Sequence, residues 1–239
     1  MKQPKVICFV PARFGSTRVK NKNIRLINGR PLIYWTVIKA LKSKKFDKIY
    51  FSSNSKKYYK ILIRYLEKDK YSCENIFFDK RSADHSNTKS KIFDYLKFEF
   101  IKKFDFQKND LIVQMLPTCP LRSIFTIKKA INFSMKNGKN CFTACEYDFH
   151  ISFGFSINKR NWKPIFRSSP MLTGNTQSQS QKIYYHPNGA VNCLYVRSLN
   201  QNSRSIYHKA MPIIISKLES FDLDTEDDFK LLKKILNKN

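Results

Sequence analysis

Short apolar stretches alternate with longer amphipathic ones over the first two-thirds of the chain. Residues 6–10, 48–52, 76–78 and 111–115 have strand length and few polar interruptions, whereas 32–41, 58–66, 92–104 and 124–135 space their apolar side chains at helical intervals. Continuous strands separated by amphipathic helices describe a parallel sheet covered on both faces. The pattern therefore predicts a doubly wound α/β fold with a mostly parallel sheet. Pro31 suits a first helical turn, Ser123 a helix start, and Gly138 a C-terminal stop. From 149 to 185 the pattern dissolves into Gly, Pro, Ser, Asn and Gln with scattered aromatics. A structureless loop that long is unusual in a compact domain, so a hairpin arm or lid is expected. Alternation returns at 190–196 and 211–216, and a closing helix is expected after Thr225.

The 239 residues suffice for one substantial core, so a single domain over 1–239 is expected, with 149–185 as its excursion. No apolar run reaches 18 residues, and the first residues lead into a strand without a signal-like segment. No membrane association and a cytoplasmic location are the resulting expectations. Six cysteines are scattered without Cys-x-x-Cys pairs, which indicates neither a disulfide framework nor a zinc site. The net charge of +27 suggests polyanionic ligands. Its lysines spread over every helical segment instead of gathering on one face with aromatics, so no specific nucleic-acid partner is indicated.

Candidate chemistry sits at the two ends of the pattern. The loop Val10-Pro11-Ala12-Arg13-Phe14-Gly15-Ser16-Thr17-Arg18, continuing to Lys22-Asn23, follows the first strand directly. Small residues there let backbone N–H groups approach phosphate oxygens, and Arg13 and Lys22 supply neutralising charge. It is neither a Walker loop nor a dinucleotide fingerprint, and a solvated turn is the plain alternative. Near the other end, Asp222 and Asp224 flank Leu223, so on an extended segment both carboxylates meet the same side, as one hard cation requires. The competing reading is helix initiation, with Thr225 as cap and Asp227 and Asp228 favouring the helix dipole. The phosphate loop, and the scarcity of acids in so basic a chain, favour Mg²⁺.

Four further segments in fixed order sharpen this: Asn28-Gly29-Arg30-Pro31-Leu32-Ile33, Pro117-Thr118-Cys119-Pro120-Leu121-Arg122, His186-Pro187-Asn188-Gly189-Ala190-Val191 and Phe221-Asp222-Leu223-Asp224-Thr225-Glu226. With the basic loop, the series resembles the acylneuraminate cytidylyltransferases from about Lys5 to Leu236. The resemblance implies a nucleotide-diphospho-sugar transferase-like fold, a homodimer built partly by the arm, CTP and an acidic nine-carbon sugar as substrates, and Mg²⁺ on Asp222 and Asp224. It implies Arg13, Lys22 and Asp224 as catalytic residues. Ala12, Arg13, Ser16, Lys22, Asn23 and Arg81 would surround the nucleotide, and Arg122, Asn188 and Gly189 the sugar. The implied reaction is attack of the sugar's anomeric hydroxyl on the CTP α-phosphorus, with pyrophosphate leaving.

Departures from the family pattern gather on the sugar side. Leu116 stands where the family has a sugar-contacting glutamine, and no arginine occurs around Gln177–Gln179 for the sugar carboxylate. Phe153 takes the place of a lysine, and Ser52-Ser53-Asn54 replaces Ser-Thr-Asp. An unusual nonulosonic acid served by Arg167, Lys182 or Arg122, an octulosonic acid acceptor, or a member without transferase activity are the alternatives these changes raise.

Overall fold

The computed structural model describes residues 3–237 apart from 17, 83, 87–89 and 201. Strand β1 (Val6–Pro11) is followed by a small ribbon of β2 (Leu26–Ile27) and β3 (Arg30–Pro31), then by α1 (Leu32–Ser43), β4 (Lys48–Ser53), α2 (Lys56–Lys68) and β5 (Ile76–Lys80). Helices α3 (Ile92–Tyr95) and α4 (Ile101–Lys103) lead to β6 (Leu111–Gln114), α5 (Ile124–Asn137) and β7 (Cys141–Glu146). The excursion carries a hairpin of β8 (Phe155–Ile157) and β9 (Trp162–Pro164), then a short α6 (Pro170–Thr173). The chain returns as β10 (Tyr185–Tyr195), β11 (Met211–Ile214) and α7 (Glu226–Asn237).

The main sheet has the order β11-β7-β10-β6-β1-β4-β5. Strand β10 runs antiparallel to β6 and β7, and the remaining neighbours are parallel. The mostly parallel, doubly wound sheet expected from the apolar pattern is what forms. One face buries Cys8, Val10, Phe51 and Val113 under Val37, Leu62 and Ile127 of α1, α2 and α5. The other buries Ile7, Phe9, Tyr50 and Ile112 under Tyr95, Leu96 and Phe100. Ser123 accepts from the Thr126 amide as a helix cap, and Gly138 ends α5 with φ of 62°.

Two expectations change in detail. The pattern at 92–104 predicts one helix, but a π turn over Leu96–Phe100 separates α3 from α4. A π turn aligns residues five apart, which brings Tyr95 and Phe100 into the same core. There the Tyr95 hydroxyl donates to both oxygens of the buried Asp79 carboxylate at 2.7 Å. The second change concerns Asn188-Gly189, whose pairing suggested a turn with positive φ. Neither residue has positive φ. They lie inside β10, where the register to β7 slips between Pro187 and Asn192. The Thr143 hydroxyl fills this bulge, donating to Asn188 Oδ1 at 2.6 Å and accepting from the Val191 amide at 3.0 Å.

The bulge needs a glycine for close approach. A Cβ built on Gly189 falls 2.2 Å from Leu116 Cδ1 and 2.7 Å from Leu116 Cγ, while the Leu116 amide donates to Gly189 O at 3.0 Å. Gly189→Ala is therefore expected to push the 116–118 segment outward and destabilise the protein by about 1–3 kcal/mol. Thermal denaturation measures this, and an unchanged midpoint refutes the close-packing account.

Candidate active site

A cleft of about 570 Å³ opens where the carboxyl ends of β1, β5 and β6 meet, lined among others by Pro11, Arg81 and Leu116. Its volume lies in the range of small-molecule sites. In an open α/β sheet, ligands bind beyond the strand ends where the winding direction changes, and β1 stands at that point here, between β6 and β4. Four basic side chains, Arg13, Arg18, Lys22 and Arg81, line the cleft with one acid, Asp224.

The basic loop is held from several sides. The Phe14 amide donates to Asn54 Oδ1 at 2.8 Å, and buried Asn23 donates from Nδ2 to Arg13 O at 2.9 Å. Asn23 thus shapes the loop and also borders the cleft. Ser16 lines the cleft as expected. Ala12 is buried and its amide is already donated to Ser52 O at 2.8 Å, so that N–H is not free for a phosphate. Lys22 is only 14% exposed and donates to Leu223 O at 2.7 Å and to Asp224 Oδ1 at 3.3 Å.

Arg81 is more unusual. It is 3% exposed, its Nε has no hydrogen-bond partner, and its guanidinium lies 5.9 Å from the Tyr95 ring centre. Burial lowers its pKa to about 10, and nearby Arg13 pushes it the same way while Tyr95 and Asp79 oppose. Two guanidinium groups brought to one cleft repel each other, which an electron-rich or anionic ligand relieves.

The acidic segment enters from the opposite wall. Leu223 is fully buried and its amide donates to Thr118 O at 2.8 Å, which leaves Asp222 and Asp224 on its two sides. Asp224 meets Arg18 at 2.7 Å as well as Lys22. Asp222 keeps water contact but is surrounded by protein mass, which raises its carboxyl pKa; the charge of Asp224 adds to the rise, while Thr118 and Lys22 lower it. Helix capping is handled by other residues. Thr225 Oγ1 accepts from the Asp228 amide at 3.1 Å, and Asp228 Oδ2 accepts from the amides of Asp224 and Thr225 at 3.0 and 2.7 Å. This reciprocal cap leaves the carboxylates of Asp222 and Asp224 outside the helix start. Among the described residues no group of three or more His, Cys, Asp or Glu gathers as a metal cluster.

The residues expected around the sugar lie deeper than anticipated. Arg122 is fully buried, donating to Thr36 Oγ1 at 3.0 Å and to Leu116 O, beneath the 116–121 segment. Sealed there, it supports the cleft wall and does not face a sugar. Asn188 is 9% exposed, and its Nδ2 donates to Ser220 Oγ at 2.7 Å. Gly189 contributes through its contact with Leu116, which does line the cleft. His150 begins a 3-10 turn and is half-buried. Sequence reading quoted Arg18 and Thr118 within motifs without giving either a role, and missed Ile92 and a Cys145–His186 contact of 3.2 Å that the strand register creates.

The chain is 26% identical over 242 residues to the CMP-N,N'-diacetyllegionaminic acid synthase of Legionella pneumophila, covering 98% of this chain and 97% of that protein. It is 27% identical over 228 residues to the N-acylneuraminate cytidylyltransferase of Streptococcus agalactiae, covering 94% of this chain but only 52%, about half, of that longer protein. Among solved structures, a CMP:2-keto-3-deoxy-manno-octonic acid synthetase complexed with CTP superposes with a TM-score of 0.67 at 12% identity, covering 98% of this chain and 99% of that one, which establishes the shared fold. The family model described as cytidylyltransferase matches residues 7–210, from β1 through the 116–121 segment and β10. A match of that extent, running through the basic loop and the cleft wall alike, makes this chain a member of the cytidylyltransferase family.

Proposed function

We propose that this protein transfers CMP from CTP to the anomeric hydroxyl of a nonulosonic acid, a sialic-acid-like nine-carbon sugar, and releases pyrophosphate. The observation that carries this reading is the convergence of Arg13, Arg18, Lys22 and Arg81 with Asp224 on one cleft. The relatives acting on diacetyllegionaminic and N-acylneuraminic acids support the acceptor class. In the reaction the acceptor oxygen forms a bond to the α-phosphorus, the bridging bond to the β-phosphate breaks, and the hydroxyl proton is lost. Arg13 and Lys22 neutralise the triphosphate and hold it for in-line attack. Arg81, unpaired at Nε, faces the base. The transfer is direct, without a covalent enzyme intermediate.

Asp222 and Asp224 suit Mg²⁺. Two carboxylates beside a triphosphate match its preference for one or two protein oxygens with phosphate and water completing the shell. The carboxyl pKa of Asp222 is raised chiefly by the protein mass around it and further by the charge of Asp224, and a bound cation would offset both. When bound, the ion supplies charge neutralisation at the phosphates.

The acceptor's carboxylate needs a cation other than sealed Arg122, and exposed Arg167 and Lys182 on the arm are available. The arm itself supports a homodimer, since Phe149, Ile157 and Ile165 are 70%, 76% and 60% exposed. No helix among the described residues is long and apolar enough to cross a membrane. The six free thiols suit the reducing cytoplasm, where CTP is also found.

Thermal shift with Mg²⁺ and each of CTP, UTP, ATP and GTP tests the nucleotide half. A specific ligand at a hundredfold its dissociation constant adds about 2.7 kcal/mol, and the reading expects that gain for CTP alone. Equal shifts for all four, fading with salt, oppose it. Arg81→Ala is expected to reduce the CTP shift while the fold persists, and retention of the full shift removes Arg81 from the base site. Asp224→Asn is expected to lower pyrophosphate release by about a hundredfold or more with little change in thermal midpoint. Wild-type turnover in that variant ends the metal assignment.

A further inference from the structure

Two carboxamides whose buried oxygens lack hydrogen-bond partners stand side by side where β6 pairs with β10. Gln114 on β6 and Asn192 on β10 are register partners across the antiparallel pair, which sets their Cβ atoms about 5 Å apart. They are 4% and 1% exposed, and neither Gln114 Oε1 nor Asn192 Oδ1 has a hydrogen-bond partner. Their strand neighbours on this face, Ile112 and Leu194, belong to the second core with Phe9 and Tyr95. Alternation calls for apolar residues at both positions, and a buried amide oxygen left unbonded is costly. The pair is a polar island in an apolar face.

Its position ties it to the cleft. Met115 packs into the first core, so Gln114 and Leu116 turn together to the opposite side, and Leu116 lines the cleft. Ile92 also lines the cleft while packing on the second core, so the two spaces share a wall. In the strand order β10-β6-β1-β4-β5, the amides lie on one side of β1 and Arg81, just past β5, on the other. The island therefore lies on the far side of β1 from Arg81, next to the cleft wall that Leu116 forms.

We propose that Gln114 and Asn192 form a polar subsite for the acceptor, bonding an uncharged amide or hydroxyl substituent of its carbon chain that enters between Ile92 and Leu116. This rests on the nonulosonic acid reading above. Each carboxamide offers two donors and an acceptor, so the pair complements an N-acyl amide or neighbouring hydroxyls. Neither group carries charge, which matches a neutral substituent and leaves the acceptor's carboxylate to cations elsewhere. Leu116 and Ile92 supply the apolar walls that carbon atoms of such a chain require.

The test is steady-state pyrophosphate release with CTP, Mg²⁺ and, separately, N-acetylneuraminic acid, N,N'-diacetyllegionaminic acid and 2-keto-3-deoxy-manno-octonic acid, which has hydroxyls and no amide. Gln114→Met and Asn192→Leu keep side-chain volume and remove the amides. Each is expected to raise the acceptor KM about tenfold, as loss of one buried hydrogen bond does, with CTP KM and kcat unchanged and the thermal midpoint held or raised. A rise confined to the two N-acyl acids identifies an amide as the bonded group, and a rise for the octonic acid as well identifies hydroxyls. Acceptor KM within about twofold of wild type in both variants overturns the subsite, since a tenfold effect is the expectation. A fall in thermal midpoint in both, and again in the smaller Asn192→Ser, shows that the amides are bonded within the fold and also overturns it. No turnover of any acid by wild type, with CTP still bound selectively, instead defeats the nonulosonic acid reading and takes this proposal with it.

Discussion

Val19 from the basic loop and Leu223 from the acidic segment are buried with Ile27, Leu32, Phe229 and Leu232 in a small apolar cluster apart from the two sheet cores. This contact brings Lys22 and Asp224, 202 positions apart, within hydrogen-bond reach. Its weight comes from apolar burial: each such side chain contributes about 1.5–3 kcal/mol. The ion pairs it frames are solvent-facing, with Asp224 47% and Arg18 71% exposed, and pairs of that kind contribute about 0–1 kcal/mol. The charged groups are therefore placed by their neighbours more than by each other, and remain free to exchange partners. Arg25 strengthens the joint by stacking 3.9 Å over the Phe229 ring and pairing with Glu226.

A second constraint lies under the opposite wall. Arg122 and Lys39 carry positive charge inward without a carboxylate bonded to either among the described residues: the arginine donates to Leu116 O and Thr36 Oγ1, and the lysine to Pro120 O at 2.6 Å. Burial, and then the nearby Arg122, lower the Lys39 pKa to about 8, with Glu219 opposing. These cations brace the proline-containing segment 116–121 from beneath. The same segment receives Leu223 at Thr118 O, so the wall and the acidic segment are fixed to each other.

How much of this was legible in the sequence depends on the range of the interaction. The sheet, α1, α2 and α5 follow from local apolar periodicity and from caps such as Ser123 and Gly138, and these appear where the pattern puts them. That Arg13, Ser16, Lys22 and Asp224 come together was legible because they sit in compact motifs, and all four line one cleft. Burial was not. Arg122 and Asn188 stand in equally recognisable motifs, yet the structure turns the first under the 116–121 segment and uses the second to close a bulge. Exposure is set by what packs above a residue, and that information is spread over several distant segments. The π turn at 96–100 has no local signal either, and the Tyr95 hydroxyl before it finds its partner, the Asp79 carboxylate, on a distant strand. Gln114 and Asn192 carry no local signal and become a pair only through the register of β6 and β10.

The small cluster that joins loop to acidic segment also sets the order in which the site comes into being. During synthesis β1 and the basic loop emerge early, and Leu223, Phe229 and Leu232 emerge only after some two hundred further residues. Until then Val19 lacks its cover, and Lys22 lacks both Leu223 O and Asp224. Contacts between such distant parts of a chain form late, because the loop they close is long and must be ordered first. An incomplete chain thus exposes the cations without the acid that accompanies them, and the cleft acquires its final balance of charge only when the last helix docks.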